Sequence, residues 1–336
     1  MKFLNFGSLN VDHVYAVDHF VWAGETLSAP DLQLFCGGKG LNQSIALRRC
    51  GVEVYHGGAV GADGQMLVEL LKENGVHTEH IFVKDCPSGH AIIQNDKDGQ
   101  NCIMLFGGAN QALTKADVDT VLEDFSDGDF ILLQNEINQM PYIMEKARKK
   151  GMTLILNPSP ADEKIFSYPL NYVDYLILNE IEIRELYLGI TGKDGAADTD
   201  GEYALADKLL ELFPEMKIIL TLGSRGSVYK DKTQTIFQKA YKVKAVDTTA
   251  AGDTFTGYVF GGIVSAQEKT AGELGKNVGA KSGENAERKP DSNSAGEALS
   301  DALGMAARAS ALAVTKKGAA PSIPWRNEVE EFETLS

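Results

Sequence analysis

The sequence predicts an α/β protein: a three-layer α/β/α sandwich with a mostly parallel central sheet, helices on both faces, and a small β-sheet set apart as a lid. Two observations carry this. Short apolar runs, of the kind that suits strands buried on both faces, alternate with helical patterns through most of the chain. Two further stretches, residues 12–36 and 89–106, break that alternation. Residues 1–336 read as one domain, with the lid drawn from about 10–36 and 88–107 and a mobile insertion at 266–300.

The elements follow in order. Phe3–Phe6 is a short strand and Val52–Val60, entered through Gly51, is another. Phe130–Gln134, Thr153–Leu156, Tyr175–Leu178 and Lys217–Thr221 are apolar runs bounded by polar residues or turns. Between the strands lie helical candidates at Asn42–Cys50, Gln65–Asn74, Lys115–Glu123, Gln139–Lys150, Glu180–Leu188 and Tyr203–Leu212. Strand, helix and strand at this spacing mark a layered α/β domain. Residues 12–36 show alternation without a helical pattern, and His90–Asn95 with Asn101–Phe106 reads as a hairpin with Asp98-Gly99 near its turn. Residues 266–300 are rich in Gly, Ala, Ser, Lys and Glu and poor in large apolar groups, which predicts a loop.

Composition narrows the function. A hydrophobic share of 43% with 24% charged residues belongs to a globular chain. The formal charge of −15 argues against a nucleic-acid partner, which needs a basic face. No apolar stretch reaches the roughly 18–20 residues of a membrane span, and no signal peptide is readable. The four cysteines, Cys36, Cys50, Cys86 and Cys102, lie far apart. That spacing fits scattered reduced thiols in a cytoplasmic protein better than zinc ligation or a disulfide scaffold.

Three clusters carry chemistry. The first is Asp247-Thr248-Thr249-Ala250-Ala251-Gly252-Asp253-Thr254-Phe255, ahead of the helical Thr256–Ser265. Small residues before a helix let backbone amides approach a phosphate, and the helix start adds a partial positive charge. Asp253 is placed to take a proton from an attacking hydroxyl, although an N-cap aspartate is the plainer alternative. The second is Cys36-Gly37-Gly38-Lys39-Gly40-Leu41-Asn42-Gln43, where glycines expose backbone donors and Lys39 and Asn42 offer side-chain donors to a polyhydroxylated ligand. It is neither a Walker A loop nor a dinucleotide fingerprint. The third is Thr221-Leu222-Gly223-Ser224-Arg225-Gly226, able to meet a nucleotide at a strand end or to serve as an ordinary hairpin turn before Ser227–Lys230.

In this order the clusters resemble the PfkB-type carbohydrate kinases, and among them the ribokinase branch. Gly7–His13, Gly37–Gln43, Asn157–Ala161, Asn179-Glu180-Ile181-Glu182, Thr221–Gly226, Asp247–Phe255 and Lys317–Trp325 all stand in register with the family's segments. Only 266–300 lacks a counterpart of similar length. The resemblance implies the ribokinase-like version of the sandwich and transfer of the ATP γ-phosphoryl group to the 5-hydroxyl of D-ribose. It implies Asp253 as catalytic base, with Ala250, Ala251 and Gly252 as an anion hole. It implies a sugar site at Asn10, Val11, Asp12, Gly38, Lys39, Gly40, Leu41, Asn42, Glu136 and Asp253. For ATP it implies Asn179, Glu182, Thr221, Leu222, Gly223, Ser224, Arg225, Gly226, Gly252 and Asp253, with Mg²⁺ held near Asn179 and Glu182. A K⁺ site is implied at the Asp247 and Ser322 side chains and the carbonyls of Thr249, Ala313, Lys316 and Gly318, and a homodimer through the lid. One departure stands out: where the family places a histidine by the adenine, this chain has Ala307, followed by Arg308. A kinase for another sugar or a nucleoside is the alternative within the class, and a sugar-sensing protein without turnover the alternative outside it.

Overall fold

The computed structural model describes residues 1–98, 100–192, 201–278 and 292–332, with backbone alone for 272–278 and 292–294. The chain divides into two compact units, neither of them one continuous segment. The chain leaves its first unit after Ser44, returns at Tyr55 and departs again after Val173.

The first unit comprises 2–44 and 55–173. It contains β1 (Phe3–Phe6), β2 (Asn10–Ala16), β3 (Asp31–Gly37), the start of α1 (Lys39–Cys50), β4 (Val54–Val60), α2 (Gln65–Glu73), β5 (His77–Val83), β6 (Gly89–Asn95), β7 (Asn101–Phe106), α3 (Lys115–Glu123), β8 (Phe130–Gln134), α4 (Met140–Lys149) and β9 (Thr153–Asn157). Five strands run in the order β9-β8-β1-β4-β5. The pairs β8/β9, β1/β8 and β4/β5 are parallel. Every residue of β1 and β8 is buried, which is why these strands read as unbroken apolar runs rather than alternating ones. α2 packs on β5 and α4 on β9.

A separate four-stranded sheet has the order β3-β2-β6-β7. β2 pairs antiparallel with β3 and parallel with β6, and β6 and β7 form the expected hairpin. This sheet occupies the two stretches that broke the α/β rhythm. It leaves Leu32, Leu34, Phe35, Ile103, Met104, Leu105 and Phe106 exposed.

The second unit comprises Met1, 45–54 and the chain from Asp174 onward. It holds β10 (Tyr175–Asn179), α5 (Glu180–Thr191), α6 (Gly201–Leu212), β11 (Lys217–Thr221), β12 (Ser227–Lys230), β13 (Thr235–Gln238), α7 (Ala251–Val278), α8 (Ser292–Ala313) and α9 (Arg326–Glu330). β10 and β11 are parallel, while β11/β12 and β12/β13 are antiparallel. The predicted fold class, a mostly parallel sheet with helices and a small separate sheet, is the one observed.

Two sequence expectations change here. The loop predicted at 266–300 is largely helix where it is described: α7 continues to Val278 and α8 begins at Ser292. Few large apolar side chains argued for a loop, but Ala, Glu and Lys are also strong helix formers, and α7 and α8 pack on one another. Residues 279–291 lie outside the described residues. α1 starts at Lys39 rather than Asn42, because Gly38, at φ 98°, turns the chain directly into it. Among the described residues no helix is long and apolar enough to cross a membrane.

Candidate active site

The first unit carries the residues expected to bind sugar. The turn into α1 docks on the end of β1: Leu41 N–H donates to the Ser8 carbonyl at 3.0 Å and Gly40 N–H to Ser8 Oγ at 3.3 Å. The Ser8 hydroxyl donates to Glu136 Oε2, which also accepts from the Lys39 N–H at 3.2 Å. Sequence positions 8, 39 and 136 thus meet at one carboxylate.

Beneath the turn lies a buried polar network. Asn5 Nδ2 donates to the Gly40 carbonyl at 2.7 Å and to Ser44 Oγ at 2.8 Å. Gln134 Nε2 donates to Asn5 Oδ1 at 2.8 Å and to Gln43 Oε1 at 2.7 Å, and Gln43 Nε2 donates to Asn157 Oδ1 at 3.0 Å. Buried amides cost stability unless paired, so this chain of donors and acceptors holds the glycine turn in one arrangement. Ser44 Oγ lies 2.8 Å from His56 Nδ1, and complete burial of His56 pushes its pKa down to about 3.

A cavity of about 340 Å³ opens beside this framework, lined by Asn10, Asn110, Gln111, Asn135, Glu136, Asp162 and Lys164, with Leu105 and Phe106 from the small sheet. Of the expected sugar residues, Asn10 and Glu136 line it directly. Asp12 lies close enough to Glu136 to feel its charge, and burial first, then that charge, raises the Asp12 pKa to about 7. Val11 and Leu41 are core residues, buried to 5% and 0% exposure, so only their backbone is available to a ligand. Asn110, Asn135 and Asp162 escaped the sequence reading. Asn135 precedes Glu136 and could have been marked by that adjacency, but nothing local distinguishes Asn110.

The second unit carries the residues expected to handle nucleotide and phosphoryl group. Ala250 takes a left-handed backbone at φ 61°, a conformation uncommon for any residue but glycine, and α7 begins at the next residue. Ala251 N–H is engaged by the Thr248 carbonyl at 3.2 Å. Among the described residues the Ala250 and Gly252 amides have no acceptor, as expected at a helix start. Asp253 follows in the first turn of α7, 9% exposed.

Thr248, Ala251 and Phe255 line a cavity of about 600 Å³ together with Gly223, Ser224, Gly226, Tyr241, Ala307 and Ser310. Gly223, Ser224 and Gly226 of the expected nucleotide turn thus line this cavity. Leu222 is a core residue instead, and Arg225 is held by Glu202, with Glu180 at 3.7 Å. Ala307, which stands where the resemblance implies a histidine, lies in the wall of this cavity. Tyr241 was not read from sequence, because the segment before Asp247 has no helical or strand period. Asn179 and Glu182 form a capping box on α5: Asn179 Oδ1 accepts from the amides of Ile181 and Glu182 at 2.9 Å each, and Glu182 Oε2 accepts from Asn179 N–H at 3.0 Å.

Of the residues expected at a monovalent cation, Asp247, Thr249 and Gly318 are tied together by hydrogen bonds. Asp247 Oδ1 accepts from the Thr249 amide at 2.9 Å and hydroxyl at 2.6 Å, and Oδ2 accepts from Gly318 N–H at 2.9 Å. Burial pushes the Asp247 pKa up, but these hydrogen bonds outweigh it and hold the carboxyl below its ordinary value. The Val314 carbonyl accepts from the amides of Val246 and Asp247. The Ala313 carbonyl accepts from Lys316 N–H and the Ser322 hydroxyl donates to the Ala319 carbonyl. An ionised carboxylate with carbonyl and hydroxyl oxygens is a donor set that fits a hard, weakly hydrated cation.

Residues 2–326 match the pfkB family of carbohydrate kinases. The chain is 32% identical over 333 residues to ribokinase of Haemophilus influenzae, covering 97% of this chain and 96% of that protein. It is 32% identical over 276 residues to deoxyribokinase of Salmonella typhi, covering 79% and 88%. The crystal structure of ribokinase from Cryptococcus neoformans in complex with ADP superposes with a TM-score of 0.78 at 31% identity, covering 98% of this chain and 99% of that one. The chain belongs to the pfkB family of carbohydrate kinases. It is an ATP-dependent sugar kinase.

Proposed function

We propose that this kinase phosphorylates D-ribose, transferring the γ-phosphoryl group of ATP to the 5-hydroxyl to give D-ribose 5-phosphate and ADP. Asp253 takes the proton of that hydroxyl as its oxygen forms the new bond to phosphorus and the bond to the departing ADP oxygen breaks. The amides of Ala250, Ala251 and Gly252 meet the charge on the transferring group. The observation that carries this reading is the left-handed turn at Ala250, which opens α7 with the Ala250 and Gly252 amides unengaged, directly ahead of a nearly buried aspartate.

For the sugar, Asp12 and Glu136 act as acceptors and Asn10, Lys39 and Asn42 as donors, a mixture that suits a ring of hydroxyls. A buried site of this kind penalises a sugar lacking a matching hydroxyl, which favours ribose. For the nucleotide, the Gly223–Gly226 turn and Ala307 face the base and ribose, while Asn179 and Glu182 organise phosphates and Mg²⁺. Glu182 Oε2 closes the cap, and the other carboxylate oxygen would help to hold Mg²⁺, whose charge would offset that of the phosphates. K⁺ would be held by Asp247, Ser322 and the carbonyls of Thr249, Ala313, Lys316 and Gly318, and its charge would steady the Ala250 turn. The reaction belongs in the cytoplasm, where ATP is supplied and four unpaired thiols stay reduced. A second copy of the chain covers the apolar surface of the four-stranded sheet, making a homodimer.

Phosphorylation of 2-deoxy-D-ribose is the second reading, favoured by the similarity to the Salmonella typhi enzyme. A coupled assay of ADP release across ribose, 2-deoxyribose, fructose and adenosine decides between them, run in K⁺ and again with choline in its place. Ribose should give the highest kcat/KM, and choline should lower turnover. A higher kcat/KM for deoxyribose or adenosine overturns the ribose assignment, and unchanged turnover in choline removes the K⁺ site.

A further inference from the structure

Asn110 is 1% exposed, in the 3₁₀ turn Gly108–Gln111. Its carboxamide orientation is set by the backbone. Leu9 N–H donates to Asn110 Oδ1 at 3.0 Å, and only the oxygen can accept that hydrogen. Nδ2 is then left as the donor, and it serves two acceptors: the Leu9 carbonyl at 3.2 Å and Asn10 Oδ1 at 2.7 Å.

The second of these bonds hands the orientation on. Asn10 lines the cavity of about 340 Å³, and its oxygen is committed to Asn110. Its Nδ2 has no hydrogen-bond partner among the described residues, although Asn10 is only 6% exposed. β6 keeps the pair in place from the other side. Gly89 stands opposite Asn10 in the β2–β6 register, and a methyl group there would strike both Asn110 Nδ2 and Asn10 Oδ1.

We infer that Asn110 is a positioning residue for sugar recognition. By holding Asn10 Oδ1, it forces Asn10 to present an N–H donor, so the site asks for an acceptor oxygen on the sugar at that point. This rests on the reading of Asn10 as a sugar ligand. The chemistry is one-directional: a backbone amide that cannot turn fixes Asn110, and Asn110 fixes Asn10.

Asn110→Asp tests it. The carboxylate still accepts from Leu9 N–H but cannot donate, so the Asn10 amide turns to give its Nδ2 to that carboxylate and offers Oδ1 to the sugar. KM for D-ribose should rise about tenfold, the worth of one hydrogen bond, while KM for ATP and kcat stay near wild type. In an Asn10→Ala background the same substitution should add nothing, since the group it acts through is gone. Gly89→Ala, which wedges the pair apart from β6, should show the same loss and the same non-additivity, and serves if Asn110→Asp does not fold. Losses that add in the double variants, or an equal rise in KM for ATP, overturn the inference and leave Asn110 a purely structural residue. A wild-type enzyme that phosphorylates no pentose would instead overturn the proposed function, so the two failures are distinct.

Discussion

Partial burial first, and then the charge of the Glu136 carboxylate, push the Asp12 pKa up to about 7. Only the ionised carboxylate is a pure acceptor, so sugar binding should strengthen as pH rises through 7. The kcat/KM for ribose, which reports groups of the free enzyme, should climb between pH 6 and 8 with a midpoint near 7. Glu136→Gln removes the like charge and should move that limb to lower pH. A limb that stays where it was would show that another group sets it.

Asp253→Asn keeps the shape of the side chain and loses the base. Turnover should fall by about 10²–10⁴-fold, the usual contribution of general base catalysis, with KM for sugar changed far less. Rapid-quench measurement of sugar phosphate reads the chemical step directly. Turnover at the wild-type rate would remove Asp253 from the base role.

His56 should make stability depend on pH. Its folded pKa is depressed by burial to about 3, against an ordinary value of 6.5. Between those values the unfolded chain binds the extra proton, so stability is fully present above 6.5 and is lost as pH falls towards 3. At pH 5 the loss from this one group is about 2 kcal/mol. Urea unfolding of wild type and His56→Gln at pH 7 and pH 5 should show this difference in slope, the variant lacking it. Parallel pH dependence in both proteins would contradict the assignment.

The register of the small sheet places Leu34, His13, Ile92 and Met104 in one row across its four strands. Leu34 and Met104 are 51% and 63% exposed. If a second copy covers this face as proposed, wild type should sediment as a dimer and Leu34→Asp with Met104→Asp as a monomer, because the added charges would be buried without partners. An unchanged dimer would place the interface elsewhere.

Much of the fold was legible because its signals are local. Strands buried on both faces, such as Phe130–Gln134, need continuous apolar runs, and the hairpin His90–Asn95 with Asn101–Phe106 is marked in the sequence by Asp98-Gly99 near its turn. Composition misled at 266–278 and 292–300, where a stretch poor in large apolar groups is helix within α7 and α8, which pack on one another. The segment Asn179-Glu180-Ile181-Glu182 was legible as a motif, but its capping-box geometry emerges only with the helix.

The sequence by itself determined the alternation of elements, the small separate sheet, and the three clusters at Gly37–Gln43, Thr221–Gly226 and Asp247–Asp253, since each is a property of neighbours along the chain. Tertiary structure alone decided which groups meet at and around those clusters: Asn110 on Asn10, Gln134 between Asn5 and Gln43, Glu202 on Arg225, Tyr241 beside Gly223 and Thr248 in the cavity of about 600 Å³. The physical reason is distance along the chain. A periodic pattern reports burial within a few residues, whereas a hydrogen bond between residues 100 positions apart exists only once packing has brought two turns together and left their buried polar atoms no other partner.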